Sequence, residues 1–171
     1  YTSPEFQPCS QTFPDKYAFV GPSIRPAVDM IQKKKEKLVY ISMGTVNNDM
    51  MSLYRKFIAA FAKTESQVIL SVGNLVPTEA FGELPENISV HPSVDQIAVL
   101  EKADAFLTHC GMNSVSEALY FKVPLVMYPQ TNEQKGVAFR VNELGAGMYL
   151  NSDAISDIQI AVKELLQQSK Y

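Results

Sequence analysis

A chain of 171 residues, 46% hydrophobic and 19% charged, has the make-up of one ordinary globular domain and can bury a sizeable core. Its net charge of −3 argues against a general nucleic-acid binder, because affinity for a phosphate backbone needs a basic face. No apolar run is long enough to span a bilayer and the first residues carry no secretory signal pattern. The two cysteines, Cys9 and Cys110, form no CxxC pair, so reduced thiols, no structural metal and a cytoplasmic setting are expected.

Tyr1 to Pro26 is proline-rich, lacks helical periodicity and ends in the turn pairs Gly21-Pro22 and Arg25-Pro26. It reads as a connecting segment leading into a domain that occupies 27–171. Asp29 to Glu36 is polar and compatible with a short helix. Leu38 to Ser42, β-branched and aromatic, predicts a first strand. Met43-Gly44-Thr45 follows, a turn where the Gly44 backbone can approach a ligand and the Thr45 hydroxyl can bind an oxygen. From Asp49 to Lys63, apolar residues at Met50, Leu53, Tyr54, Phe57, Ile58 and Phe61 share one helical face. Val68 to Val72 is the next strand, Pro77 to Glu86 a loop, and Ile88 to His91 a brief strand. Pro92-Ser93-Val94-Asp95 opens a short helix from Gln96 to Leu100.

The most informative stretch runs from Phe106 to Gln134. Strand Ala105 to Thr108 stops at His109. Gly111 can adopt a positive φ, and Asn113 and Ser114 are N-cap candidates for a helix through Val115, Ala118 and Leu119. A strand feeding a helix start through a tight turn gathers unpaired backbone N–H groups at the positive end of the helix dipole, so a phosphate belongs at Gly111 to Ser114. His109 can donate to a phosphate oxygen. Glu117 is either the capping-box partner of Ser114 or a carboxylate for ribose hydroxyls. Cys110 beside His109 is read as an inward thiol next to an outward imidazole rather than as a nucleophile with its base.

A strand from Val123 to Tyr128 ends at Pro129. Beyond it, Gln130, Asn132, Glu133 and Gln134 offer carboxylate and amide groups suited to sugar hydroxyls, or form an ordinary polar helix start. Helix Glu133 to Leu144, strand Met148 to Leu150 and helix Asp153 to Gln168, capped by Ser152 or Asp153, complete the chain. Strands alternate with helices throughout, which predicts an α/β fold with a parallel, Rossmann-like sheet. A Walker sequence and a complete GxGxxG after a strand are both absent, so ATP hydrolysis and nicotinamide chemistry lack support.

The run HCGMNSVSEA, followed after a proline-containing strand by PQTNEQ, resembles the donor-binding signature of the UDP-glycosyltransferases, closest to the bacterial macrolide-type enzymes of GT-B fold. YISMGT, ISVHPSVDQIAVL, NELGAGMYL and FVGPSIRP extend the likeness over nearly the whole chain. The resemblance implies the C-terminal, nucleotide-sugar-binding half of such an enzyme. His109 would contact the donor diphosphate, with Gly111, Met112, Asn113 and Ser114 supplying donors to it and Gly44 and Thr45 lining it from the opposite loop. Glu117 would hold the ribose, Val94 would meet the base through its backbone, Gln96 would reach the ribose, and Glu133 and Gln134 would grip the sugar.

The resemblance also implies inverting, metal-independent transfer from a UDP-sugar or related donor to a hydroxyl of a small acceptor such as a macrolide, flavonoid or lipid. The nucleotide-sugar is a substrate, and no cofactor is expected. The general base and acceptor pocket would belong to an N-terminal domain, so no catalytic residue is expected in this chain, which stops before the family's closing helices. Four positions depart from the pattern: Ser93 stands where relatives place a base-stacking tryptophan, Asp95 where proline is common, Glu133 in place of aspartate, and Val137 where asparagine is frequent. Stacking of a base on an aromatic ring contributes about 1–3 kcal/mol, which leaves both uracil and thymine open. A separate donor-binding subunit of a two-chain N-acetylglucosaminyl transferase and a non-catalytic nucleotide-sugar sensor are the alternatives.

Overall fold

The computed structural model describes residues 3–44 and 50–167; Thr45 lies outside the described residues. Six strands alternate with helices. They are β1 (Leu38–Ser42), α1 (Met51–Phe61), β2 (Gln67–Ser71), β3 (Ile88–His91), α2 (Gln96–Leu100), β4 (Ala105–Thr108), α3 (Met112–Tyr120), β5 (Leu125–Met127), α4 (Asn132–Glu143), β6 (Gly147–Tyr149) and α5 (Ile155–Gln167). All pairings are parallel, in the spatial order β3-β2-β1-β4-β5-β6.

Helices cover both faces of the sheet, and this accounts for the unbroken apolar character of β1 and β4, every residue of which is buried. Successive side chains alternate between the two layers. Val39, Ile41 and Leu107 pack with Tyr54, Phe57, Ile158 and Val162 of α1 and α5. Leu38, Tyr40 and Phe106 pack with Leu100, Val115, Ala118 and Val141 of α2, α3 and α4. The Tyr40 and Phe106 rings stack at 4.6 Å across the β1–β4 pair.

Two sequence expectations are corrected. Residues 29–36 are not helical: the segment has no apolar face to bury, and a helix would set Lys33 and Lys37 one turn apart as like charges. Both lysines turn instead to Asp104, at 2.6 and 3.7 Å. Secondly, α3 begins earlier than Asn113 or Ser114 as N-cap would allow, with Gly111 at the cap and no side-chain cap bond. Elsewhere the elements fall within a few residues of their expected bounds, and a 3-10 turn, Thr78–Phe81, lies inside the predicted loop.

The strand order decides where a ligand can sit. The chain winds outward from β1 to β3, then returns past β1 to β4 and winds the other way, so the crevice opens at the carboxyl ends of β1 and β4. Ser42 and Thr108 are register partners there.

Candidate functional site

A cleft of about 740 Å³ opens at that switch point, within the usual range of small-molecule sites. Gly44, Val94, Gln96, His109, Gly111, Met112, Asn113, Ser114, Glu133 and Gln134 all line it. Glu117 sits just beside, in a smaller cleft of about 310 Å³ bounded by Pro22, Ser23, Asn113 and Ser116. His91 does not line the large cleft.

His109 projects from the end of β4 between two glycines. A Cβ added at Gly44 or at Gly111 would come within 2.7 Å of its Nε2, so a side chain at either position would push the ring aside. Burial lowers the imidazole pKa; the Ser42 backbone and, more distantly, Glu133 favour the proton but do not win. The ring is therefore neutral near pH 7. Its Nδ1 is buried and makes no hydrogen bond among the described residues, a polar atom that gains a partner only if a ligand or water supplies one.

The turn after His109 differs from the sequence reading in one respect. The left-handed residue is Cys110, with φ 68°, whereas Gly111 has φ −62°. Cys110 is fully buried, its N–H donates to Thr108 Oγ1 at 3.2 Å, and its thiol pKa is pushed up to about 12 by burial. It is an inert core thiol, as expected, although it lies beyond the end of β4 and the left-handed turn, not strand alternation, points it inward. The turn aims the start of α3 into the cleft. The first helical N–H with a partner is that of Val115, bonded to the Gly111 carbonyl at 3.0 Å, and no side chain caps those of Met112, Asn113 and Ser114 among the described residues. These amides and the helix dipole make an anion site.

Next to it lies a polar network. Tyr40 Oη donates to Gln96 Oε1 at 3.1 Å, and Gln96 Nε2 donates to Glu117 Oε2 at 2.6 Å and to Ser114 Oγ at 3.1 Å. Glu117 is thus no capping-box partner of Ser114; its carboxylate is oriented through Gln96, with one oxygen left for a further donor. Tyr40, buried and with its hydroxyl near Ser42 and Ser71, sets the Gln96 amide so that its NH2 faces Glu117. Sequence reasoning missed Tyr40, Ser42 and Ser71, all of which line the cleft. The period-two alternation along β1 could have placed Tyr40 on the α3 side of the sheet.

The opposite wall is the start of α4. Thr131 and Gln134 form a capping box: Gln134 Oε1 accepts from the backbone N–H of Gln130 and Thr131, at 2.7 and 3.1 Å, and Gln134 N donates to Thr131 Oγ1 at 3.3 Å. The polar helix start and the cleft wall are therefore the same residues. With its oxygen committed, Gln134 presents its NH2 as a donor, and Glu133 presents acceptors beside it.

The arrangement brings an open helix start, a ring nitrogen and a carboxylate–amide pair into one crevice, and comparison with known proteins gives the chain a family. A sequence profile described as "UDP-glucoronosyl and UDP-glucosyl transferase" matches residues 22–171. NDP-glycosyltransferase YjiC of Bacillus subtilis (strain 168) is 42% identical over 164 residues, covering 92% of this chain and 42% of that protein. Oleandomycin glycosyltransferase of Streptomyces antibioticus is 34% identical over 125 residues, covering 72% of this chain and 29% of that protein. Among solved structures, the glycotransferase of kitacinnamycin superposes with a TM-score of 0.88 at 32% identity, over 97% of this chain and 45% of that one. The chain spans less than half the length of these relatives. The parallel six-stranded sheet flanked by helices is the Rossmann-like, C-terminal half of a GT-B glycosyltransferase, and the chain belongs to the UDP-glucuronosyl and UDP-glucosyl transferase family.

Proposed function

We propose that this chain is the donor-binding half of an inverting glycosyltransferase that moves a sugar from a UDP-sugar, or a related nucleotide-sugar, to a hydroxyl of a small acceptor such as a macrolide, flavonoid or lipid. The observation that carries the reading is the convergence, at one switch point, of the uncapped N-terminus of α3, the His109 ring and the Gln96–Glu117 pair. Diphosphate on the amides of Met112 to Ser114 and on His109 leaves the ribose hydroxyls at Glu117 and the base at the Val94 backbone. The sugar then points toward Glu133 and the Gln134 NH2.

In the transfer step the bond from the anomeric carbon to the diphosphate oxygen breaks as the acceptor oxygen attacks from the opposite face. Charge accumulates on the departing diphosphate, where preorganised amides and an imidazole stabilise it more than they stabilise the intact donor. This reading needs no metal and no cofactor at the diphosphate. The general base and the acceptor pocket belong to a preceding domain, joined through residues 1–26, so the chain alone binds donor without turnover. The name oleandomycin glycosyltransferase supports a macrolide-type acceptor, and the name NDP-glycosyltransferase leaves the base open, as Ser93 does.

Calorimetric titration of the chain with UDP, UDP-glucose, UDP-N-acetylglucosamine and dTDP-glucose tests the reading. His109→Ala and Glu117→Ala are each expected to weaken the best ligand by about tenfold or more, the loss of one charge-assisted contact. Equal binding by the wild type and both variants overturns the site.

A further inference from the structure

Asp95 is the only charged residue buried among the described residues, and its partners come from far away in sequence. Arg25 grips it with two bonds, Nη2 to Oδ1 at 2.6 Å and Nη1 to Oδ2 at 3.3 Å. The backbone N–H groups of Val28 and Asp29 donate to Oδ2 at 2.6 and 3.1 Å. A buried carboxylate with this set of donors is satisfied, and removing one donor leaves charge without a partner.

Beyond the gripped residues, the segment is held by Ile31 against the core and by bonds of residues 32–34 to Gln67 and Asp104, whereas residues 25–29 have Asp95 as their distant side-chain partner. No helix or strand occurs from Phe13 to Lys37, and Val28 and Met30 are 82% and 96% exposed. On its other side, Asp95 lies between Val94 and Gln96, both of which line the large cleft. Gln96 is held by Tyr40 and hands its NH2 to Glu117. The Arg25 guanidinium also feels the Glu117 charge, and Pro22 and Ser23 of the same segment form one wall of the small cleft beside Glu117.

We propose that Asp95 and Arg25 are positioning residues for the nucleoside end of the donor: the Asp95 carboxylate clasps residues 25–29 to the 92–96 turn and so sets the Val94 backbone and the Gln96 amide. This rests on the donor-site reading above and adds to it. The amides of the anion site belong to α3, which Gln96 touches through the Ser114 hydroxyl and not through those amides, so the clasp bears on them far less than on the nucleoside end. Coupling between the segment and the nucleoside subsite is reciprocal, so a bound nucleoside slows opening of residues 25–29 as much as the clasp strengthens nucleoside binding.

The test compares UDP with inorganic pyrophosphate, which probes the anion site alone, by titration of the wild type, Arg25→Ala, Arg25→Lys and Asp95→Asn. Arg25 is half-exposed, so its truncation keeps the fold even where Asp95→Asn does not. Arg25→Ala is expected to weaken UDP about tenfold and pyrophosphate less than about twofold, with Arg25→Lys between the wild type and Arg25→Ala because it keeps the charge and loses the bidentate grip. Hydrogen exchange at the Val28 and Asp29 amides is expected to slow with UDP and not with pyrophosphate. The proposal is overturned if Arg25→Ala binds UDP as the wild type does, or weakens both ligands equally as a general loss of stability would. A wild type that binds pyrophosphate but shows no preference for UDP removes the nucleoside subsite itself, and both readings fall together.

Discussion

At the scale of single residues, the His109 ring dictates its neighbours. Gly44 and Gly111 flank it at equal closeness but sit in different backbone conformations, φ 85° and −62°, which separates steric from conformational cost. Gly111→Ala tolerates its φ and displaces only the ring. It is expected to weaken UDP by about tenfold while global stability stays within about 0.5 kcal/mol. Gly44→Ala adds a left-handed alanine, costing about 1–2 kcal/mol more in urea melts. Equal stability of the two variants would contradict the account. The sequence identified His109 and both glycines, yet it misassigned the reason for Gly111. The positive φ fell on Cys110, a residue that rarely adopts it, and local pattern cannot foresee a strained position enforced by tertiary packing.

At the scale of elements, the site depends on how helices start. A cap left open on α3 and a cap closed on α4 both line the cleft, the first proposed for phosphate and the second for sugar. The sequence reading gave α4 a polar start at Glu133 and Gln134 without the Thr131 cap, and it suggested a cap on α3 through Asn113 and Ser114 that the structure does not use, which leaves the amides of that helix start without a side-chain partner. Tyr40 shows what strand identity alone concealed. Its ring belongs to the core stack with Phe106 while its hydroxyl orients Gln96. Tyr40→Phe keeps the stack and leaves Gln96 Oε1 short of a donor. It is expected to lower stability by about 1 kcal/mol and to weaken UDP, with pyrophosphate unaffected. A Tyr40→Phe protein with unchanged UDP affinity would remove Tyr40 from the site.

At the scale of the whole molecule, strands and helices were legible because each apolar run is short, β-rich and punctuated, and each helix has one apolar face. Strand order was not. That β4 returns to pair with β1 is a consequence of long-range packing, and it alone brings Gly44 beside His109. No helix among the described residues is long and apolar enough to cross a membrane.

Stability of the whole fold should fall on acidification in two stages. Burial lowers the His109 pKa below its unfolded value, so its contribution is present above about pH 6.5 and is lost as pH falls through the folded value. Arg25, aided by the Val28 and Asp29 amides against the effect of burial, holds the Asp95 carboxyl well below the usual carboxylate range. Its contribution is present above about pH 4 and is lost below that. Urea melts from pH 8 to pH 3 should show the first stage abolished by His109→Gln and the second by Asp95→Asn. Unchanged profiles in both variants would contradict these assignments.

The central claim, that one crevice between β1 and β4 takes pyrophosphate on an open helix end and a pentose on Glu117, is most directly tested by a crystal structure of this chain with UDP. The account predicts phosphate oxygens within hydrogen-bonding distance of the Met112 to Ser114 amides and of His109, with both ribose hydroxyls on the Glu117 carboxylate. A nucleotide bound elsewhere, or a ribose turned away from Glu117, would contradict it.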